Sequence, residues 1–371
     1  MKVCHLTSVH GQEDTRIFHK ECVSLAKAGY EVYEISRGNT YDKNGVHIIG
    51  INDLATGRIT RMSRLVRKVY LKALEIDANI YHAHDPELLP ILLKLKGKGK
   101  TVIFDSHENV AGTIKEKHYI PKPLRLIVKF AYETFQTYAC KRIDAVITAT
   151  PNITDYFKGI GCQRVIDLCN FPLLNNNFVE PDYRSRTLSF AGGTTGQWNH
   201  DIIISAIDKM DNVKYSLCGN NNSYIERLKQ LPGWKKVDFK GRIPFEQVAD
   251  LLQHSAIGLS LLTPGNNTDG KNGNMANTKI FEQMTAGLPI VCTNFVRWKE
   301  FVDGYDCGIC VDPRSVEEVS KAINRLLDNP EVARKKGLNG RRAIEERFNW
   351  NNEEKKLLTL YKKLEGEIHN G

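Results

Sequence analysis

Short apolar runs alternate with longer amphipathic segments along almost the whole chain, and this alternation limits the possible folds more than any other feature. The apolar runs have the length of buried strands, and the segments between them have helical periodicity. The predicted strands cover residues 3–6, 31–35, 80–83, 101–104 and 145–148, and then 187–192, 214–217, 257–261, 288–292 and 309–311. Strands that alternate with helices are typical of βαβ units, so we predict an α/β fold built on parallel sheets.

A change of composition near the middle of the chain separates two such halves. Residues 170–186 are polar and contain two prolines and three consecutive asparagines, as expected of a connecting segment. A chain of 371 residues also exceeds the usual size of one core. We therefore predict two Rossmann-like domains, and one long helix over residues 316–347. The predicted division is a first domain 1–172, a linker 173–186, a second domain 187–347 and a final helix 348–371 that crosses back to the first domain.

The composition is that of a globular protein that does not span a membrane. It is 41% hydrophobic and 26% charged, and it contains no apolar run long enough for a bilayer. The first residues read as a strand without the pattern of a signal peptide, and nine scattered cysteines show no disulfide framework. We therefore expect a cytoplasmic protein.

The net charge of +9 is concentrated in two basic stretches of the first half. Their members are Arg58, Arg61, Arg64, Arg67, Lys68 and Lys72 in the first, and Lys115, Lys117, Lys122, Arg125 and Lys129 in the second. Such stretches suit an anionic membrane surface or a phosphorylated acceptor, but they are equally typical of a solvated helix face. A nucleic acid is a poorer fit, because no aromatic platform accompanies the charge.

Polar clusters follow five of the predicted strands. They occupy residues 8–16, 82–86, 105–109, 192–196 and the loop 263–276. In open α/β sheets, ligands bind beyond the carboxyl ends of the strands, where loops and helix N-termini converge. We therefore predict a ligand site in a cleft between the two domains.

The loop 263–276 leads into a short predicted helix with Lys279 and Glu282 near its N-terminus. A cation and a carboxylate beside free helix N–H groups can hold a phosphate and a sugar diol together. The alternative is an ordinary surface ion pair on an amphipathic helix. The histidines His82 and His84 are expected to point to opposite faces of a strand, so we predict no shared metal site there. His107 lies between carboxylates, and a structural role for it stays open.

Several longer motifs occur in a fixed order along the chain. They are Asp14-Thr-Arg-Ile-Phe18, His82-Ala-His-Asp85, Asp105-Ser-His-Glu108, Asn277-Thr-Lys-Ile-Phe-Glu-Gln-Met-Thr-Ala-Gly-Leu-Pro289, Trp298-Lys-Glu-Phe-Val, Gly308-Ile-Cys-Val-Asp-Pro313 and Phe348-Asn-Trp350. In this order and spacing they resemble the retaining nucleotide-sugar glycosyltransferases of family 4, the group 1 glycosyltransferases, over nearly the whole chain. The motifs of the first half look like a bacterial branch that makes surface polysaccharides.

The resemblance implies a GT-B fold, in which the parallel sheets of two Rossmann-like domains face an interdomain cleft. It implies that Glu282 accepts hydrogen bonds from the ribose hydroxyls, while Lys279 and Arg242 offset the charge of the diphosphate. His107 would lie near the sugar and the acceptor, so the implied catalytic residues are His107, Glu282 and Lys279. The other implied donor-binding residues are Gly192, Gly193, Thr194, Asn274, Asn277 and Thr278, and the acceptor-binding residues are Asp14, Arg16, His84 and Glu108.

The chain departs from the family pattern in two places. The Arg/Lys pair that usually follows the glycine turn is absent, since Gly193 or Thr194 and Asn199 or His200 occupy its positions, and Arg242 and Lys279 remain as the phosphate cations. The second departure lies before Glu282. The family places a glutamate eight residues before Glu282, and this chain has Asn274 there. An amide carries no charge, so we expect a changed contact with the donor sugar.

The activity implied by the resemblance is transfer of a sugar from a nucleotide-diphosphate sugar to a saccharide acceptor with retention of configuration, and the acceptor is expected to be lipid-linked. No metal or other cofactor is expected. The implied location is the cytoplasm or the inner face of the cytoplasmic membrane. Two alternatives are a nucleotide-sugar 2-epimerase of the same fold and a non-catalytic subunit that binds a membrane or a partner.

Overall fold

Two β-sheets, one in each half of the chain, organise the computed structural model. The structure describes residues 1–53, 57, 61–108, 110–114, 120–174, 177–265 and 268–370. The chain divides into unit 1, residues 1–170 with 350–371, and unit 2, residues 171–349. The segment predicted as a linker falls within unit 2, where Tyr183 is buried in the core.

The sheet of unit 1 has eight strands in the order β3-β4-β2-β1-β5-β6-β7-β8. They are β1 (Lys2–Gly11), β2 (Glu31–Arg37), β3 (Tyr41–Lys43), β4 (Val46–Ile51), β5 (Ile80–Ala83), β6 (Thr101–Ser106), β7 (Ala145–Thr148) and β8 (Val165–Asp167). All neighbours pair in parallel except β3 and β4, which are antiparallel. The strands predicted from the sequence do not include β3, β4 and β8. β3 and β8 are edge strands of three residues without a continuous apolar run, whereas β4 lies inside the sheet and its apolar run was overlooked.

The helices of unit 1 cover both faces of this sheet, as parallel strands require. A π-helical segment, Ile17–Cys22, leads into α1 (Val23–Lys27), and a second one, Arg61–Leu65, leads into α2 (Val66–Ile76). They are followed by α3 (Leu89–Lys96), α4 (Val110–Thr113), α5 (Arg125–Cys140) and α6 (Pro151–Gly159), with 3₁₀ turns at Pro86–Leu88 and Lys122–Leu124.

The C-terminal helix, Trp350–Asn370, also belongs to unit 1. Its buried Trp350 and Tyr361 pack in one cluster with the hydrophobic side chains of β1 and β2. The Trp350 indole N–H donates to Ser24 Oγ at 2.9 Å, and the Tyr361 hydroxyl lies 3.0 Å from His82 Nδ1. The end of the chain therefore completes the core of the first unit.

The sheet of unit 2 has six parallel strands in the order β11-β10-β9-β12-β13-β14. They are β9 (Thr187–Ala191), β10 (Lys214–Cys218), β11 (Val237–Gly241), β12 (Ile257–Ser260), β13 (Ile290–Thr293) and β14 (Gly308–Val311). The helices are α7 (His200–Ile207), α8 (Ser223–Leu228), α9 (Phe245–Gln253), α10 (Thr278–Thr285), α11 (Val296–Tyr305), α12 (Val316–Leu327) and α13 (Pro330–Glu346), with 3₁₀ turns at Gly196–Trp198 and Pro232–Lys236. Numbered within the unit, the strand order is that of dinucleotide-binding sheets, and it reverses between β9 and β12.

The single long helix predicted over residues 316–347 is wrong. The structure ends α12 at Leu327 and starts α13 at Pro330. Proline has no N–H to donate and is tolerated in the first turn of a helix but not in its interior. The helical period continues across this break, which explains why periodicity alone did not reveal it.

The carboxyl of Glu34 on β2 is fully buried, and this burial raises its pKa from 4.5 to about 7. The unfolded chain ionises at the lower pKa, so the free energy of unfolding should fall as the pH rises from about 4.5 to about 7. Replacing Glu34 with Gln should remove this part of the pH dependence and stabilise the protein by about 2 kcal/mol at pH 8. Denaturation curves at several pH values test this, and a constant difference between variant and parent at all pH values would contradict it.

Candidate functional site

A pocket of about 480 Å³ opens at the carboxyl ends of β9, β10 and β11 in unit 2. This edge of the sheet lies beside the point where the strand order reverses, which is where ligands bind in folds of this type. Residues from four separate segments line the pocket. They are Ala191, Gly192, Gly193, Cys218, Gly219, Asn220, Arg242, Ile243, Val248, Lys279 and Glu282.

The N-terminal turn of α10 brings a cation and a carboxylate to this pocket. The Asn277 side chain caps the helix by accepting a hydrogen bond from the Lys279 N–H at 3.0 Å. One turn further along, Lys279 Nζ donates to Glu282 Oε2 at 3.0 Å, and both side chains are partly exposed. The positive end of the helix and the lysine favour an anion, while the carboxylate can accept hydrogen bonds from hydroxyl groups.

A glycine turn after β9 lines the pocket beside the Lys279 side chain. A Cβ atom on Gly192 would lie 3.0 Å from Cε of Lys279, and one on Gly219 would lie 2.5 Å from the Gly192 carbonyl oxygen. Glycine at these two positions therefore lets the turn after β9 pack closely against Lys279 and against the turn after β10. Gly193 is exposed and lines the same pocket.

Thr194 stabilises this turn through hydrogen bonds to the loop after β10. Its side chain is buried, and its hydroxyl donates to the Asn220 carbonyl at 2.6 Å. The Asn222 amide in turn donates to the Thr194 carbonyl at 2.9 Å. Thr194 is thus placed to support the turn, and it is not among the residues that line the pocket.

The remaining predicted donor residues lie beside the pocket and do not line it. Asn274 is buried, and its side-chain oxygen accepts from the Ala276 N–H at 3.1 Å. The Asn274 carbonyl accepts from the Trp298 indole N–H at 2.8 Å. Asn277 caps α10, and Thr278 is its first residue. Asn274 therefore stabilises the loop that precedes α10, and its predicted contact with a sugar stays a prediction.

In unit 1, a cluster of histidines lies at the corresponding reversal of strand order, between β1 and β5. His5 on β1 pairs in register with His82 on β5, and His84 follows two residues later. The rings of His82 and His84 stack with centroids 4.5 Å apart, and His5 Nδ1 lies 2.9 Å from His84 Nε2. The expectation that His82 and His84 point to opposite faces is wrong, because residues two apart on a strand share a face.

A buried ion pair lies beside these histidines. The Arg16 guanidinium donates to both carboxylate oxygens of Asp105, at 2.9 and 3.0 Å, and to the Leu168 carbonyl at 2.6 Å. Burial opposes ionisation, but Arg16 and His107 hold the pKa of Asp105 well below its usual value. The fully buried Glu21 lies 3.1 Å from Arg16 Nε, and burial together with Asp105 raises its pKa well above the usual value. The two carboxyl pKa values are thus shifted in opposite directions, which favours the negative charge on Asp105 over Glu21.

Residues at the rim of this cluster remain accessible. His107 Nε2 lies 3.2 Å from both Asp105 Oδ2 and His84 Nδ1, and its side chain is 19% exposed. The Glu108 side chain is exposed next to it. Asp14 Oδ1 accepts from the N–H groups of Arg16 and Ile17, at 2.8 and 3.1 Å, where the π-helical segment begins. The structure thus brings all four predicted acceptor residues near His107, with Arg16 and His84 buried and Asp14 and Glu108 accessible.

Sequence reasoning did not single out His10, which completes this rim. Its ring centroid lies 4.9 Å from that of His107, and its Nδ1 lies 3.3 Å from Asp14 Oδ2. Burial lowers the pKa of His10, but the hydrogen bond with Asp14 and the nearby Asp85 raise it overall. The sequence did indicate a role for His10 in one respect, because it lies in the first polar cluster, four residues before Asp14.

Three groups of described side chains offer possible metal ligands within 4.8 Å of one another. They are His5, Glu21, His82 and His84; His84, Asp105 and His107; and Asp167, Cys169 and Glu353. In each of the first two groups the carboxylate contacts the Arg16 guanidinium, Glu21 in one and Asp105 in the other, so a cation is already present beside it. The expectation that the protein uses no metal remains a prediction.

The first basic stretch is partly neutralised within unit 1. Lys68 Nζ lies 2.8 Å from Asp53 Oδ2, and Lys72 Nζ lies 2.5 Å from Glu75 Oε2. Arg58, Lys115, Lys117 and Asn109 lie outside the described residues, as does the side chain of Arg61. Among the described helices, none has the length and apolar character needed to cross a bilayer.

Comparison with known proteins agrees with this architecture. Residues 200–359 match a protein family described as "Glycosyl transferase-like", and so carry its sequence pattern. An uncharacterized glycosyltransferase of Methanocaldococcus jannaschii is 30% identical over 144 residues, which cover 38% of this chain and 33% of that protein. The matched region thus spans about a third of the length of this relative.

Solved structures extend the likeness to the whole chain. Sucrose-phosphate synthase from Thermosynechococcus elongatus superposes with a TM-score of 0.76 at 15% identity, covering 99% of both chains. HepE from Anabaena, solved in complex with UDP-glucose, superposes with a TM-score of 0.72 at 14% identity, covering 98% of this chain and 100% of that chain. The predicted α/β fold with two parallel-sheet domains is confirmed, and it is the GT-B fold of glycosyltransferases.

Proposed function

We propose that this protein is a retaining glycosyltransferase that transfers a sugar from a nucleotide-diphosphate sugar to a saccharide acceptor. The observation that carries the proposal is the pair of Lys279 and Glu282 beside the glycine turn of the unit 2 pocket. The sequence family matched by residues 200–359 and the UDP-glucose complex of HepE support the same reading. Fold alone would not be sufficient, because one fold hosts many functions.

Different residues of the pocket bind the ribose and the diphosphate of the donor. Glu282 accepts hydrogen bonds from the ribose hydroxyls, and the open backbone at Gly192 and Gly193 approaches the diphosphate. Lys279 and the exposed Arg242 offset its negative charge. When the glycosidic bond breaks, charge accumulates on the leaving diphosphate, and prearranged cations and N–H groups lower the energy of that transition state.

His107 acts on the acceptor side of the reaction in this proposal. Asp105 orients its ring from the buried side, and the free edge of the ring contacts the transferred sugar or the acceptor. The accessible carboxylates of Asp14 and Glu108 hold acceptor hydroxyls. The acceptor is a lipid-linked saccharide of surface-polysaccharide synthesis, used at the cytoplasmic face of the membrane, and the reaction requires no metal.

Replacing Glu282 with Ala should weaken binding of a nucleotide diphosphate by about tenfold, because hydrogen bonds from a neutral donor to a carboxylate contribute about 1.5 kcal/mol. The unit offers a matched control in Glu226 on α8 and Lys229 just after it, which are also three residues apart and form an ion pair at 2.8 Å. Isothermal titration calorimetry with UDP and GDP measures the effect in both variants.

Replacing Glu226 with Ala should leave the affinity unchanged. Equal affinity of the two variants would contradict the role of Glu282, and transfer activity that survives EDTA would support the metal-free reaction. A parent protein that binds neither nucleotide diphosphates nor nucleotide sugars would overturn the proposed function itself.

A further inference from the structure

Helix α5 carries an unusual concentration of exposed apolar side chains. Leu126, Ile127 and Phe130 are 64%, 65% and 73% exposed. The same helix and the turn before it expose Leu124, Val128, Phe135 and Tyr138. Large apolar side chains that cluster on one surface usually mark an interaction site, whereas single ones have no such meaning.

The polarity of this helix is reversed relative to an ordinary surface helix. Positions 126, 127, 130, 131, 134, 135 and 138 are all exposed, and at 3.6 residues per turn they form one continuous arc. This arc contains four large apolar residues, an alanine, a threonine and a tyrosine, and no charged residue. The charged residues Arg125, Lys129 and Glu133 lie on the other side, where they are only partly exposed. We call the exposed arc the apolar face of α5.

Positive charge borders the apolar face. Between residues 120 and 142 the chain has five basic residues and one acidic residue, Glu133, which pairs with Lys129 at 2.5 Å. At the end of the helix, the Arg142 guanidinium lies 3.7 Å from the ring centroid of Tyr138. An apolar surface edged by long basic side chains and a tyrosine suits the boundary between lipid headgroups and acyl chains.

We propose that the apolar face of α5 docks unit 1 onto an anionic membrane surface, with its apolar side chains inserted below the headgroups. A second copy of this chain is a poorer occupant, because a symmetric contact would bring the same basic borders against each other. Anionic lipids neutralise these borders and cover the apolar side chains at once. The inference rests on the proposed function only in its link to a lipid-linked acceptor.

Vesicle binding by the full chain tests the proposal without donor or acceptor, so its failure is distinct from failure of the nucleotide site. The parent should co-sediment with vesicles containing phosphatidylglycerol and much less with pure phosphatidylcholine. The double variant Ile127→Ser/Phe130→Ser should lose about tenfold or more in partition to the anionic vesicles. The control Val296→Ser/Val332→Ser removes exposed apolar side chains from α11 and α13 of unit 2 and should bind as the parent does.

The charge is tested separately with Lys122→Ser/Lys141→Ser, which should weaken binding to anionic vesicles and leave binding to neutral ones unchanged. Retained nucleotide affinity and thermal stability would show that each variant is folded. Absence of vesicle binding by the parent would overturn the proposal, as would equal binding by the α5 double variant. A parent dimer in light scattering that the same double variant abolishes, without vesicle binding, would overturn it in favour of a second copy.

Discussion

Replacing Arg16 with Met should lower the free energy of unfolding of unit 1 by about 3–5 kcal/mol. The guanidinium is buried and donates to both oxygens of Asp105, at 2.9 and 3.0 Å. Methionine fills similar volume but leaves the Asp105 carboxylate buried without its main cation, which costs more than the ion pair itself contributes. Thermal and chemical denaturation of the full chain measures the effect.

A partly exposed arginine of the same unit, Arg164, provides the matched control for this prediction. Arg164 also contacts a carboxylate through two nitrogens, Glu367 at 3.1 and 2.6 Å, but this pair is on the surface. Replacing Arg164 with Met should cost less than about 1 kcal/mol. Adding Asp105→Asn to Arg16→Met should recover part of the lost stability, because it removes the unpaired charge. Equal effects of the two arginine substitutions would refute the buried ion pair as a determinant of stability.

The position of Arg16 also illustrates how far the sequence could specify this site. The polar clusters after strands were predictable, because the carboxyl ends of parallel strands meet at one edge of a sheet. The clusters around Arg16, His84 and Asp105 do meet at one edge of unit 1. The extent to which each side chain is buried was not predictable. Arg16 and His84 were assigned to an acceptor, yet both are buried and bonded to other protein groups.

The fold was more predictable than the positions of edge strands and helix ends, because the two depend on different kinds of information. Apolar runs and helical periods are local, and they placed the strands that form the centre of each sheet. Edge strands and helix breaks depend on contacts distant in sequence or on a single residue such as Pro330. The contacts of Glu21 and Asp105 with Arg16 are the clearest case, because only the folded chain brings these two carboxyls and the guanidinium together.

The pocket of unit 2 depends on a glycine that no sequence motif indicated. Gly219 follows β10, and a Cβ atom there would lie 2.4 Å from Thr194 Cγ2 and 2.5 Å from the Gly192 carbonyl oxygen. These distances are too short for real contacts, and one of the two partners is backbone that cannot rotate away. Gly219 was overlooked because the close approach exists only when β9 and β10 pair.

Replacing Gly219 with Ala should therefore weaken binding of a nucleotide diphosphate by about 100-fold, the equivalent of about 3 kcal/mol. The added methyl group must displace the turn at Gly192, whose backbone faces the diphosphate in the proposed complex. The fold has room to adjust at the protein surface, so the loss of affinity should exceed the loss of thermal stability. Calorimetry and thermal denaturation of the same preparation measure both quantities.

Gly196 supplies the control, because it ends the same glycine turn but has space around it. A Cβ atom there would meet its nearest neighbour, Tyr224 Cε2, at 3.9 Å, which is ordinary van der Waals contact. Replacing Gly196 with Ala should leave nucleotide affinity within about threefold of the parent, since surface changes away from such features are worth about 0.5 kcal/mol. Equal affinity of the two alanine variants would mean that the turn at Gly192 does not bind the diphosphate. A Gly219 variant that loses stability and keeps its affinity would assign the close approach to folding alone, and the diphosphate would then have to be held by α10 and Arg242.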